Sequence, residues 1–217
     1  KADEVVKIIL DLQKDGAENI NLVSPTLWTL GLKDILLEAK KNGLTIPIVW
    51  NSNGYEDIRI VREIGEIGAV DIFLPDYKYS DNKLAVEYSL ASNYPKIAGE
   101  AILEMHRQVG DFRGNRGLIV RHLVLPGQIE NTIGCLKFIR SISPKIHLSL
   151  MTQYNPLFMV KNYPEINRTL AKEEYDKAKT EVVSFAPQAT MGIRAPHFVF
   201  FIKDYLEKKY GKDLVEK

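Results

Sequence analysis

Residues 70–81 read VDIFLPDYKYSD, an apolar run that closes on an aspartate and a lysine two positions apart. Side chains alternate along a strand, so Val70, Ile72, Leu74, Asp76 and Lys78 share one face, provided Pro75 introduces no bulge. A largely apolar run with a pair of charges gathered at its end is how a strand of a helix-covered parallel sheet reads. Its two opposite charges then stand at the mouth of the sheet.

The same design recurs on both sides of this stretch. NINLVSP (19–25), IPIVWNSNG (46–54), GLIVRHLVLPG (117–127) and IHLSLMTQYNP (146–156) read as strands, which with VDIFLPDYK (70–78) makes five. Between them lie helical periods. Ala2–Lys14 places Val5, Ile8, Ile9 and Leu12 on one stripe and is stopped by Gly16, and Leu27–Lys41 ends at Asn42-Gly43. Further helical stretches cover 56–67, 82–91, 95–108 and 129–142. Repeated βα alternation predicts an α/β fold with a parallel sheet covered by helices. After residue 156 come a loop holding Tyr163-Pro164, a helix over 171–184, and the aromatic-rich run HFVFFIKDYL (197–206), which reads as a closing amphipathic helix.

We therefore expect one barrel-type domain over 1–185 and a helical C-terminal extension over 186–217 packed on it. A closed eight-stranded barrel takes about 250 residues and eight βα units. Five strands leave an open sheet or a partial barrel that lacks a strand. The helix-first register puts the missing strand ahead of Lys1.

Charge and cysteine content narrow the function. The 217 residues carry 29 Lys and Arg against 28 Asp and Glu, so no bulk field recruits nucleic acid. The single Cys135 excludes a disulfide framework and a metal cluster held by cysteines of this chain alone. It points to a reducing compartment, the cytoplasm. No apolar run approaches the roughly 20 residues of a membrane helix, and the N-terminus carries no signal pattern. A soluble protein without membrane partners is the expectation.

In α/β folds the active site lies at the carboxyl ends of the parallel strands. Here those ends are Ser24-Pro25-Thr26, Asn51-Ser52-Asn53-Gly54, Asp76-Tyr77-Lys78, Pro126-Gly127 and Thr152-Gln153-Tyr154-Asn155. A lysine and a carboxylate held together could bind a zwitterion or activate a nucleophile, or form a strand-end ion pair and no more. His147, Ser149, Met151, Gln153 and Asn155 make a polar stripe on the last strand, the mark of a wet inner face. Asn51, Arg121 and Gln153 are expected to gather with Asp76 and Lys78. Arg121 and His122 face opposite sides, so one of them is structural, with His122 donating to a carbonyl. The Asn51–Gly54 run is equally a tight turn, since Asn and Gly tolerate positive φ. Cys135, among Ile133, Leu136 and Ile139 in a helical pattern, reads as a buried inert thiol.

The phrases GAENINLVSPT, IPIVWNSNGYE, VDIFLPDYKYSD, AILEMHRQVGD, GLIVRHLVLPG and YPEINRTL closely resemble, in order and spacing, a known family. It is the radical S-adenosylmethionine proteins of the pyruvate formate-lyase activating enzyme-like group, and the resemblance runs from about residue 3 to 185. It implies a partial (βα)6 TIM-like barrel, a [4Fe-4S] cluster held by a CxxxCxxC loop, and S-adenosylmethionine on the cluster's open iron. It also implies oxidoreductase chemistry, in which reductive cleavage yields a 5'-deoxyadenosyl radical that abstracts hydrogen. The implied partners are a glycyl-radical enzyme such as pyruvate formate-lyase and an electron donor such as flavodoxin or ferredoxin. The family's cysteine loop follows its first strand, so the resemblance places the cluster ligands upstream of Lys1 and none in this chain.

Carried over by position, Asn51 to Gly54, including Asn53, resemble the family's Asp-Thr-Asn-Gly stretch near the ligand, with Asn51 replacing the aspartate. Asp76 and Lys78 match its Asp-x-Lys pair against the methionyl part of the cofactor, and Arg121 with Pro126-Gly127 matches the Arg and Pro-Gly of its fifth strand. Tyr154-Asn155 stands where relatives carry Tyr-His, and Ser24-Pro25-Thr26 where many carry Gly-Gly-Glu. Two other readings compete. One is a cluster-free barrel enzyme using Lys78 as a Schiff-base lysine activated by Asp76, and the other a non-catalytic barrel that binds a partner.

Overall fold

The computed structural model describes residues 2–185 and 190–191. Its elements alternate as the periodicities require. They are α1 (Ala2–Lys14), β1 (Ile20–Val23), α2 (Thr29–Lys41), β2 (Ile48–Ser52), α3 (Ile58–Glu66), β3 (Ile72–Pro75), α4 (Asn82–Ser89), α5 (Tyr94–Val109), β4 (Gly117–Leu123), α6 (Ile129–Ile142), β5 (His147–Met151), α7 (Lys172–Phe185) and β6 (Thr190–Met191). Local chemistry sets the boundaries. Asp57 and Asp81 cap α3 and α4, their carboxylates accepting from the amides of Arg59 and Lys83. The helix expected from Leu27 begins instead as a 3-10 turn over Pro25–Trp28, with Pro25 at its start.

All strands are parallel and lie in the order β1-β2-β3-β4-β5-β6, each beside its chain neighbour. This sequential order, with a helix in every crossover from β1 to β6, is the connectivity of a partial barrel. The sixth strand is a correction to the five expected. Thr190–Met191 is two residues long, too short for alternation to show, and it falls in the segment expected to be a helical extension. The expected closing helix over HFVFFIKDYL lies outside the described residues.

One face of the sheet is packed by helices. Leu22, Trp50, Phe73 and Leu118 stand in register across four strands and join the core, as do Leu148 and Leu150 of β5. Against them pack Leu36, Val61, Ile64, Ile102, Met105 and Leu136. Burial in β4 and β5 alternates fully buried with half-buried residues, so the opposite face, carrying Arg121, His147, Ser149 and Met151, is only partly covered. The register on that face sets Asp76 beside Arg121 and Arg121 beside Ser149. The charged strand end quoted above thus opens onto the exposed side of the sheet.

Candidate functional site

β3 ends at Pro75, and the next three residues are held by other elements. The Asp76 amide donates to the Ser52 carbonyl at 2.9 Å and the Tyr77 amide to the Arg121 carbonyl at 2.9 Å. The Lys78 amide donates to the Tyr94 hydroxyl at 3.0 Å. That hydroxyl shares its one proton between the carbonyls of Asn53 at 2.9 Å and Asp76 at 3.0 Å. The Tyr77 carbonyl accepts from His122 Nδ1 at 2.7 Å, and the Lys78 carbonyl from Asn131 Nδ2 at 2.9 Å. All six main-chain polar groups of Asp76, Tyr77 and Lys78 are therefore bonded, to β2, β4, α5 and α6. A backbone this constrained fixes where its side chains point.

The Tyr77 ring goes inward and stacks on Phe138 at 4.5 Å between centroids. Asp76 and Lys78 go to the open side, where Asp76 is shared by two cations. Its Oδ1 accepts from Arg121 Nε at 2.7 Å, and its Oδ2 lies 3.4 Å from Lys78 Nζ. Asp76 is nearly buried and Arg121 mostly so, whereas the Lys78 side chain is 41% exposed. Two cations on one carboxylate leave the trio with a net charge of +1. With that charge and the remaining donors of Lys78 and Arg121, it suits a carboxylate or another anion.

The other expected site residues are engaged elsewhere. Asn51 is buried on the same face one row below, in register with Leu74 rather than Asp76. The Asn53 side chain accepts from the Tyr55 amide at 3.0 Å, closing its own turn. Gln153 is exposed and accepts from the Thr152 amide at 3.1 Å. Among the described residues none of these three hydrogen-bonds to the Asp76 trio. Gly54 serves the site through its backbone. Its φ is +76°, and a Cβ there would meet the Asp76 carbonyl at 2.3 Å.

His122 takes the structural role. Because a carbonyl only accepts, Nδ1 carries the proton given to Tyr77, and Nε2 accepts from the Thr132 hydroxyl at 3.0 Å. Burial pushes the imidazole below the ordinary histidine range, against the Tyr77 bond and the Asp76 charge, which favour the proton. The Pro126-Gly127 turn is fastened from α7, the Gly127 amide donating to Glu174 Oε1 at 2.6 Å. Arg168 holds that carboxyl below the usual carboxylate range against the opposing effect of burial. Cys135 is buried, and burial pushes its thiol up.

Sequence reasoning missed Tyr94 and Asn131. Tyr94 left one readable signal, the Pro95 that marks the first turn of α5. Asn131 left none, since an Asn inside a helical period reads as a solvated position.

No family model matches the chain. Over 178 residues, 81% of its length, it is 34% identical to the "Uncharacterized protein MJ0674" of Methanocaldococcus jannaschii, of which the match covers 48%. The chain thus spans about half the length of that relative. No helix among the described residues is long and apolar enough to cross a membrane.

Proposed function

We propose that this chain is the barrel portion of a radical S-adenosylmethionine enzyme of the activating class, and that the Asp76 trio receives the cofactor's methionyl carboxylate. The observation that carries the reading is the locked Asp76–Lys78 segment, whose two cations share one carboxylate at the carboxyl ends of parallel strands. The trio fits the group in charge and in free donors. Lys78 and Arg121 would take the carboxylate, while Asp76 sets the spacing between them. Bound there, S-adenosylmethionine supplies a sulfonium open to one-electron cleavage.

The iron–sulfur cluster does not fit this chain. Three thiolates are needed, the sequence has one cysteine, and that one is buried in α6 among Leu136 and Ile139. No cluster of three or more His, Cys, Asp or Glu able to hold a metal occurs among the described residues. Within this reading the cluster ligands belong to residues outside the chain, in keeping with a relative about twice as long. The described residues already hold six parallel strands, the number of a (βα)6 barrel, so the strand expected ahead of Lys1 is not needed to complete that count. Among the described residues β1 pairs with β2 alone and so forms an edge of the sheet.

A protein substrate such as a glycyl-radical enzyme, and an electron donor such as flavodoxin or ferredoxin, belong to the same proposal. Supporting it, the segments that follow β1 and β5 expose Leu27, Trp28, Leu30, Leu157, Phe158 and Met159 at the end of the sheet that carries the trio. The Schiff-base alternative is less favoured, because an amine nucleophile wants a desolvating apolar pocket and Lys78 is ion-paired and solvated.

Calorimetric titration with S-adenosylmethionine tests the reading. Lys78→Ala should weaken binding by about 1.5–3 kcal/mol, the scale of a charge-assisted hydrogen bond. Lys83→Ala, on the exposed first turn of α4, should stay within about 0.5 kcal/mol of the parent. Decarboxylated S-adenosylmethionine should be insensitive to Lys78→Ala. Absence of binding, or equal affinity for all three proteins, rejects the assignment.

A further inference from the structure

We propose that Tyr94 is the positioning residue of this site, the group that sets where the Lys78 ammonium stands relative to Asp76 and Arg121. Beyond Pro75 the sheet ladder reaches only as far as Tyr77, whose amide still donates to β4. The Lys78 amide has no strand to pair with and donates to the Tyr94 hydroxyl instead. The same hydroxyl reaches the Asn53 carbonyl at the end of β2 and the Asp76 carbonyl at the end of β3. One oxygen atom thus fixes the separation of two strand ends and the amide of the residue bearing the more exposed cation.

Its own position is tightly determined. Tyr94 is 3% exposed and opens α5, and the Asn93 before it, at φ 59°, donates its amide to Asn82 Oδ1 at 2.6 Å. Tyr55 stacks on the Tyr94 ring at 5.8 Å between centroids, and Tyr79 meets it edge-on at 5.5 Å. Burial pushes the phenol up, so it stays a neutral hydroxyl able both to accept from Lys78 and to donate to a carbonyl. Phenylalanine would keep the packing and remove all three bonds. Lys78 would then be tethered only by its carbonyl, through Asn131.

The test compares Tyr94→Phe with Tyr79→Phe. Tyr79 is as buried, and its hydroxyl is bonded to Ser89 Oγ at 2.8 Å, so each variant loses one buried hydroxyl, but only Tyr94 touches the site backbone. Two readouts need no ligand: hydrogen exchange at the Lys78 amide, and acylation of the Lys78 amine relative to Lys83. Tyr94→Phe should speed the Lys78 amide at least about tenfold and raise the labelling ratio, with Tyr79→Phe unchanged in both. A third readout, S-adenosylmethionine affinity, rests on the proposed function and should fall about tenfold in Tyr94→Phe alone. A parent protein that binds no S-adenosylmethionine overturns that function and leaves the first two readouts to decide on Tyr94. Unchanged exchange and labelling in a folded Tyr94→Phe overturns the positioning role. Should that variant not fold, a Lys78 amide that exchanges in the parent as fast as the Lys83 amide overturns it equally.

Discussion

His122 holds the carbonyl of Tyr77 in the middle of the site segment, and it does so only as a neutral ring. It is completely buried, with Nδ1 donating to Tyr77 and Nε2 accepting from Thr132. Replacement by leucine keeps an apolar side chain in the space and strands the Tyr77 carbonyl and the Thr132 hydroxyl. Each stranded buried group costs about 1–3 kcal/mol, so about 2–6 kcal/mol of stability should be lost at pH 8. The pH dependence separates this from a simple packing defect. The folded imidazole lies below the ordinary histidine pKa, so in that interval the unfolded chain binds more protons than the folded one. Stability is then complete above the unfolded value, about pH 6.5, and is lost as pH falls beneath it, at up to about 1.4 kcal/mol per unit. The loss sets in below that value and ends where the folded imidazole itself takes up a proton. Urea denaturation followed by fluorescence reads it directly, because Trp50 is buried and Trp28 exposed, so the unfolding signal comes from Trp50. Subtracting His122→Leu from the parent at each pH removes the contribution of the other three histidines. A difference that stays constant from pH 8 to 5 would show that His122 is not held neutral, and the hydrogen-bond assignment would fall with it.

Gly54→Ala should destabilise by more than about 2 kcal/mol, since it combines a left-handed φ with displacement of the Asp76 carbonyl. Gly43→Ala, at φ +97° with nothing within 4 Å of an added Cβ, carries the backbone strain alone and should cost about 1–2 kcal/mol, less than Gly54→Ala. Equal losses in urea titrations would deny the close approach at Gly54. Cys135 should resist thiol reagents in the native protein and react at the rate of unfolding, being buried with its thiol pushed up. Immediate stoichiometric labelling at pH 8 would contradict that placement.

The fold was legible wherever a period could be counted. Among the described residues, five of six strands follow from apolar runs ending in polar residues, and seven α-helices from helical periods such as Val5, Ile9 and Leu12. The sixth strand, two residues long, offered no period. Within the site, the opposition of Asp76 and Lys78 and the company of Arg121 are consequences of alternation and register. The expected recruitment of Gln153 rested on alternation, and that of Asn51 on its place in the resembling stretch. Alternation assigns a face but not a height along the strand, and Asn51 stands one row lower.

Sequence by itself determined the βα rhythm, the face on which each strand residue stands and the gathering of charge at strand ends, because these depend on bonds between near neighbours and on the period of the backbone. The tertiary structure alone decided what makes the charged end rigid. Lys78 is bonded to Tyr94 16 positions away and to Asn131 53 positions away, and Tyr77 to His122 across 45. No local pattern encodes such pairs. They exist only once two helices and two strands have packed to bring a hydroxyl, an amide and an imidazole to the main chain of one tripeptide.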